Sequence, residues 1–186
     1  MLFGWFRSRI ADSSYAVYGS IVAQARQPAF YLDYAVPDTV EGRFEMILVH
    51  IALLFDRLKD EDAPIRAGAQ EVLDLFFADM DRSLREMGVG DLSMKKKMTK
   101  LGQAYNGRAL AYGRAAGEGA PALAAAFLKN VWAGRSGPAE AAGAARLARY
   151  ALATAASLKA SPPRTLLDAA IPWPDPADVR PEGAEP

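Results

Sequence analysis

Apolar residues along this chain recur at helical intervals, with almost none of the strict alternation that marks strands. The clearest run is Gly42 to Leu58, where Phe44, Ile47, Leu48, Ile51, Leu54, Phe55 and Leu58 form one broad stripe. Met46, Val49 and Leu53 fall on the opposite side. A helix apolar on two faces must be covered on two faces, so this one is expected at the centre of a bundle. A second helix is predicted from about Arg66 to Met87, with Val72, Leu73, Phe76, Phe77, Met80, Leu84 and Met87 on one side. Gly88 suits its end, because glycine enters the left-handed region without strain. Asp91 or Ser93 is placed to cap a third helix, roughly Leu92 to Ala116, whose stripe is Met94, Met98, Leu101, Tyr105 and Tyr112.

Weaker patterns complete the outline. Tyr15 to Ala25 predicts an earlier helix, broken at Gln27 because Pro28 disfavours helical geometry in the residue before it. Pro121 opens an alanine-rich helix to about Trp132, and Pro138 opens another to about Lys159. From Ser161 the chain is rich in proline. The pattern predicts an all-α, single-domain bundle of about six helices over residues 13–160. An N-terminal segment, 1–12, precedes it, and an extended or disordered proline-rich tail, 161–186, follows.

Composition narrows the function. Lys+Arg and Asp+Glu balance at 22 each, so no global field recruits DNA, and any electrostatic partner must see a local patch. The absence of cysteine excludes disulfides, thiol catalysis and thiolate-held metal. No apolar run reaches the ~20 residues that cross a bilayer. At the N-terminus, Leu2, Phe3, Trp5 and Phe6 with Arg7 and Arg9 read either as a frayed end or as an interfacial foot on anionic lipid.

Catalytic patterns are weak. His50 is the single histidine and is expected to be structural; no serine sits in a nucleophile elbow, and a di-iron bundle would need two Glu-x-x-His units. No catalytic residue, metal or cofactor is assigned. Charge is more informative. Between Leu92 and Gly117 lie Lys95, Lys96, Lys97, Lys100, Arg108 and Arg114, with no acid. Lys96, Lys100 and Arg114 fall opposite the Met94/Met98/Tyr105 stripe, a single-sign face suited to lipid headgroups, ribosomal RNA or an acidic protein. Arg108 and Asp79 each sit beside an apolar stripe. A lone buried charge is costly, so the two are expected to pair, or Arg108 to meet another nearby acid.

Gln24 to Met46 combines Pro28 and Pro37 with Phe30, Tyr31 and Tyr34, framed by Arg26 and Arg43. It reads either as an ordered flap or as the wall of a groove for an apolar partner, with Asp38 or Thr39 capping the helix that follows. Four blocks in order, VAQARQPAFY, VPDTVEGRFEM, LDLFFADMDRSLREMGVGDLSMKKKM and AYNGRALAY, resemble the ubiquinol–cytochrome c chaperone family from about Tyr15 to Tyr112. The resemblance implies a helical, non-enzymatic assembly factor for respiratory complex III that holds newly made cytochrome b. It also implies a bacterial member, since no transit peptide precedes the shared core, peripheral on the cytoplasmic face of the inner membrane, with the ribosome as a further partner. On that reading Arg26, Phe30, Tyr31, Arg43 and Phe44 meet the client, while Lys95, Lys96, Lys97, Lys100 and Arg114 meet anionic lipid or an acidic partner. The rival expectation is a helical ligand-binding protein or enzyme, with a quinone or haem-related molecule near His50 and Tyr105.

Overall fold

The computed structural model describes residues 2–180, with side chains from residue 12 onward. The N-terminal foot and the last six residues of the tail therefore lie outside what is described at side-chain level. Among the described residues the fold is all-α. Its helices are α1 (Leu2–Ala25), α2 (Pro28–Leu32), α3 (Val40–Leu58), α4 (Ala63–Glu86), α5 (Asp91–Glu118), α6 (Ala120–Asn130), α7 (Pro138–Ala160) and α8 (Pro163–Leu167), with a 3-10 turn at Pro176–Asp178.

Local chemistry sets most boundaries. Thr39 caps α3, its hydroxyl accepting from the Gly42 amide at 3.1 Å, and Asp62 caps α4 in the same way through the Ile65 amide. At the end of α4, Gly88 adopts φ +83°. Its amide donates to Arg85 and that of Val89 to Leu84, the paired bonds of a Schellman ending. The expected cap of α5 is corrected. Gly90 occupies that position without a side-chain bond, while Asp91 accepts from Arg85 at 2.6 Å and Ser93 donates to the Gly90 carbonyl.

The central placement of α3 follows from its two apolar faces. It packs against α1, α4, α5 and α7, and Met46, Leu48, Val49, His50, Ile51 and Leu54 are buried on all sides of it. Its start is pressed on the preceding loop: a β-carbon on Gly42 would lie 2.0 Å from the Pro37 carbonyl oxygen. Gly143 of α7 is equally constrained, 1.8 Å from the Tyr34 carbonyl oxygen by the same construction. Two bare backbones thus let the 33–39 loop sink into the bundle.

The tail is extended between α8 and the 3-10 turn but packs along the body. Leu166 and Pro176 are buried, and the Trp173 indole donates to the Ser20 hydroxyl at 2.9 Å. Gln24 donates to the Pro174 carbonyl at 2.9 Å and Tyr34 to that of Pro176 at 2.7 Å. Arg146 lies 4.4 Å from the Tyr34 ring centre and donates to the carbonyls of Pro176, Ala177 and Val179. A proline-rich strand has carbonyls but few amides to satisfy, which is why side-chain donors hold it.

Candidate functional site

Three regions bear on function, two carrying sequence-derived candidates and one that the sequence did not reveal, and they differ most in exposure. The first is the aromatic stretch after α1. Phe30, on α2, is wholly buried, with ring centres 5.3 Å from Tyr34, 5.6 Å from His50 and 4.9 Å from Tyr150. Its expected contact with a client is corrected: a ring enclosed on three sides by other rings fills the core. Tyr31 is half-buried and donates to the Ala25 carbonyl at 2.8 Å. Phe44 is half-buried and stacks on Phe76 at 5.8 Å. Arg43 pairs with Asp38 at 2.6 Å on the surface, and Arg26 is exposed.

Behind Phe30 lies His50. Its Nδ1 is 2.7 Å from the Met46 carbonyl and its Nε2 is 2.8 Å from the Tyr150 hydroxyl. A carbonyl only accepts, so Nδ1 carries the proton and Nε2 accepts from Tyr150. Gln24 donates to the same hydroxyl at 3.0 Å. Burial pushes the His50 pKa down to about 4, because the neutral ring alone tolerates so dry a site. Both ring nitrogens are thus engaged in a buried hydrogen-bond network. Neither of two clefts on the surface is lined by His50 or Tyr105, the residues of the quinone or haem reading.

The second region is an open cleft of about 570 Å³ between α3, α5, α6 and α7. Val49, Leu53, Leu123, Phe127 and Leu152 give it an apolar floor, and Ala109, Gly113 and Ala116 of α5 keep one wall low. Asp56, Lys59, Asp60 and Lys159 form a charged rim. Arg57 steadies one end by donating to the Leu158 and Ser161 carbonyls at 3.0 and 3.2 Å while pairing with Glu61. The Tyr112 ring tilts against Phe127, ring centres 4.7 Å apart. Its hydroxyl is buried beside Arg108 and Asn130 without a hydrogen bond of good geometry, and burial raises its pKa. Sequence reasoning missed this cleft. Its only trace is the spacing of Ala109, Gly113 and Ala116 on one helical face, which also occurs in ordinary close packing.

Beneath the cleft the Arg108 expectation resolves. Arg108 donates through Nε and a terminal nitrogen to both carboxylate oxygens of Glu45, not to Asp79. Asp79 instead accepts from the Tyr18 hydroxyl at 2.8 Å. The Asp79–Arg108 pair is therefore corrected, and the charge that Arg108 needed is Glu45, in the second turn of α3. Burial raises the Glu45 pKa while the guanidinium opposes it.

The third region is the far end of the α4–α5 hairpin. Nothing on α4 beyond Phe76 is fully buried, and on α5 only Met94 is so before Tyr105. Lys95, Lys96, Lys97, Lys100 and Arg114 are all exposed. Among the described residues no carboxylate pairs with any of the five.

The chain matches the family described as Ubiquinol-cytochrome C chaperone over residues 32–173, well over half its length. It belongs to that family. The solved structure of the Cbp3 homolog from Brucella abortus is 38% identical to it, with a TM-score of 0.85 over 97% of this chain and 100% of that one. No match is found among curated proteins. The chaperone family thus extends across α3 to α7 and into the Trp173 strap, so the alanine-rich helices and the start of the tail are part of the shared body. No helix among the described residues of this family member is long and apolar enough to cross a membrane.

Proposed function

We propose that this chain is a non-enzymatic assembly chaperone that binds newly made cytochrome b and supports assembly of ubiquinol–cytochrome c reductase. It would do so as a peripheral protein on the cytoplasmic face of a bacterial inner membrane. Family membership supports the chaperone role. The observation that carries the site is the open apolar cleft between α3, α5, α6 and α7.

A membrane subunit before assembly consists of apolar helices joined by short polar loops. A cleft with an apolar floor and a rim of both signs suits such a segment, the floor covering its hydrophobic side and the rim its polar flanks. Each 100 Å² of client surface covered contributes roughly 2.5 kcal/mol before the costs of association. Of the aromatic stretch, Tyr31 and Phe44 remain candidates for secondary contact, with Arg26 and Arg43 at their edge. The unpaired Lys95, Lys96, Lys97, Lys100 and Arg114 supply the anionic-surface contact. Ribosomal RNA is the weaker partner for that face, since base-stacking aromatics are absent from among its cations and Tyr105 and Tyr112 are buried.

The test is co-purification from membranes of a respiring bacterium. The wild-type chain should bring down cytochrome b, and Leu152→Asp, which places a charge on the cleft floor, should lose it while keeping its helical circular dichroism. Failure of the wild-type chain to recover cytochrome b overturns the client assignment; recovery undiminished by the substitution overturns the cleft.

A further inference from the structure

From Phe77 onward α4 has no fully buried side chain, and its last ten residues run about 15 Å at 1.5 Å per residue towards the turn before α5. Along this stretch and the start of α5, Met80, Leu84 and Met98 are half-buried and Met94 is buried, while α1 flanks its beginning through the Tyr18 bond to Asp79. At the tip the Gly88–Gly90 turn presents two uncovered apolar side chains, Met87 at 55% exposure and Leu92 at 103%. Leu92 begins an exposed face of α5 that continues, at helical spacing, through Lys95, Lys96, Thr99 and Lys100. The nearby acids Asp81 and Asp91 are both bonded to Arg85, at 2.7 and 2.6 Å, which leaves Glu86 as the remaining acid of the tip.

We infer that this hairpin tip is a bilayer wedge: Met87 and Leu92 enter the boundary between headgroups and acyl chains of an anionic membrane, and the lysines behind them bind the headgroups. The inference deepens the peripheral-membrane part of the reading above by naming the inserted residues. Apolar side chains at a convex end with a collar of one sign fit a charged lipid surface, whose apolar layer starts within ~5–10 Å of its headgroups. A protein helix as occupant would need a groove, and neither of the two clefts described above includes Met87, Leu92, Lys95, Lys96 or Lys100. The Schellman ending and the Arg85 bonds to Asp81 and Asp91 hold the turn in one shape, so little order has to be created on insertion.

The chain has no cysteine, so Leu92→Cys gives a single site for an environment-sensitive fluorophore. At physiological ionic strength the label should shift to the blue on vesicles of mixed phosphatidylcholine and phosphatidylglycerol, and stay unshifted on phosphatidylcholine alone. In sedimentation with the mixed vesicles, Leu92→Asp should weaken binding about tenfold, while Leu32→Asp, an exposed leucine on α2, should leave it unchanged. Neutralising Lys95, Lys96 and Lys100 to glutamine should weaken it by about 100-fold, at about fivefold for each unit of charge near the surface. A label that remains in water while the protein sediments with lipid overturns the wedge, as does wild-type binding by Leu92→Asp. A label that shifts on an apolar helical peptide but not on vesicles overturns it in favour of client contact. Cytochrome b co-purification is read separately, so loss of the client assignment and loss of the wedge are distinguishable.

Discussion

The α3-centred body and the α4–α5 tip are both built from helices with an apolar stripe, two-sided in α3 and one-sided in α4 and α5, yet they end in opposite environments. In α3 every apolar position from Met46 to Ile51 is buried because α1, α4, α5 and α7 surround it. Beyond Phe76 and before Tyr105 only Met94 is buried on the hairpin helices, and Met87 and Leu92 are left uncovered. The difference teaches that an apolar stripe states which side of a helix avoids water, while coverage depends on how many neighbours reach that side. It also separates stability from function: the body stores the free energy of the fold, and the tip is free to be used.

The sharpest way to break the comparison is to place an uncompensated charge in the body. Arg108→Leu strands the Glu45 carboxylate and is expected to cost about 3–5 kcal/mol in denaturant unfolding; Glu45→Leu with Arg108→Leu should recover most of it. Unchanged stability of the single variant would mean that the pair is not buried as the fold requires.

Acid comes next. The His50 pKa is lowered to about 4 from an ordinary 6.5, so the unfolded chain binds its proton first and folding loses stability as pH falls. That stability is fully present above about pH 6.5 and is lost between there and pH 4, by roughly 3 kcal/mol. The raised Glu45 pKa acts in the opposite sense, favouring the folded state as pH falls through the carboxylate range. His50→Gln, which lacks the titrating ring, should flatten the upper part of the profile. An equal slope for both proteins between pH 6.5 and 5 would assign the effect elsewhere.

The smallest effect belongs to the tip. Leu92→Asp should change global stability by no more than about 0.5 kcal/mol, the usual range for exposed sites. Amides of residues 80–100 should exchange with solvent faster than those of residues 46–54, because the hairpin opens without unfolding the body. Protection of the tip equal to that of α3 would erase the contrast between the two regions.

The long helices, the proline starts of α6 and α7, the Gly88 ending and the centrality of α3 were legible in the chain itself. Each rests on backbone sterics or on the period of apolar residues, which act over one or two turns. The short helices α2 and α8 were not legible, the latter lying in a tail expected to be extended or disordered. The aromatic stretch was legible as ordered, but its direction was not. Phe30 faces Tyr34, His50 and Tyr150, and so turns inward, because Gly42 and Gly143 let the loop behind it sink into the bundle. The partner of Arg108 was likewise undecided by sequence, since Glu45 and Asp79 both lie one helix away and only the packing of α3 against α5 chooses between them. The cleft and the bare tip belong to the same class. Local patterns dictate what each segment must hide, whereas the arrangement of segments some hundred residues apart decides which of those surfaces finds a neighbour.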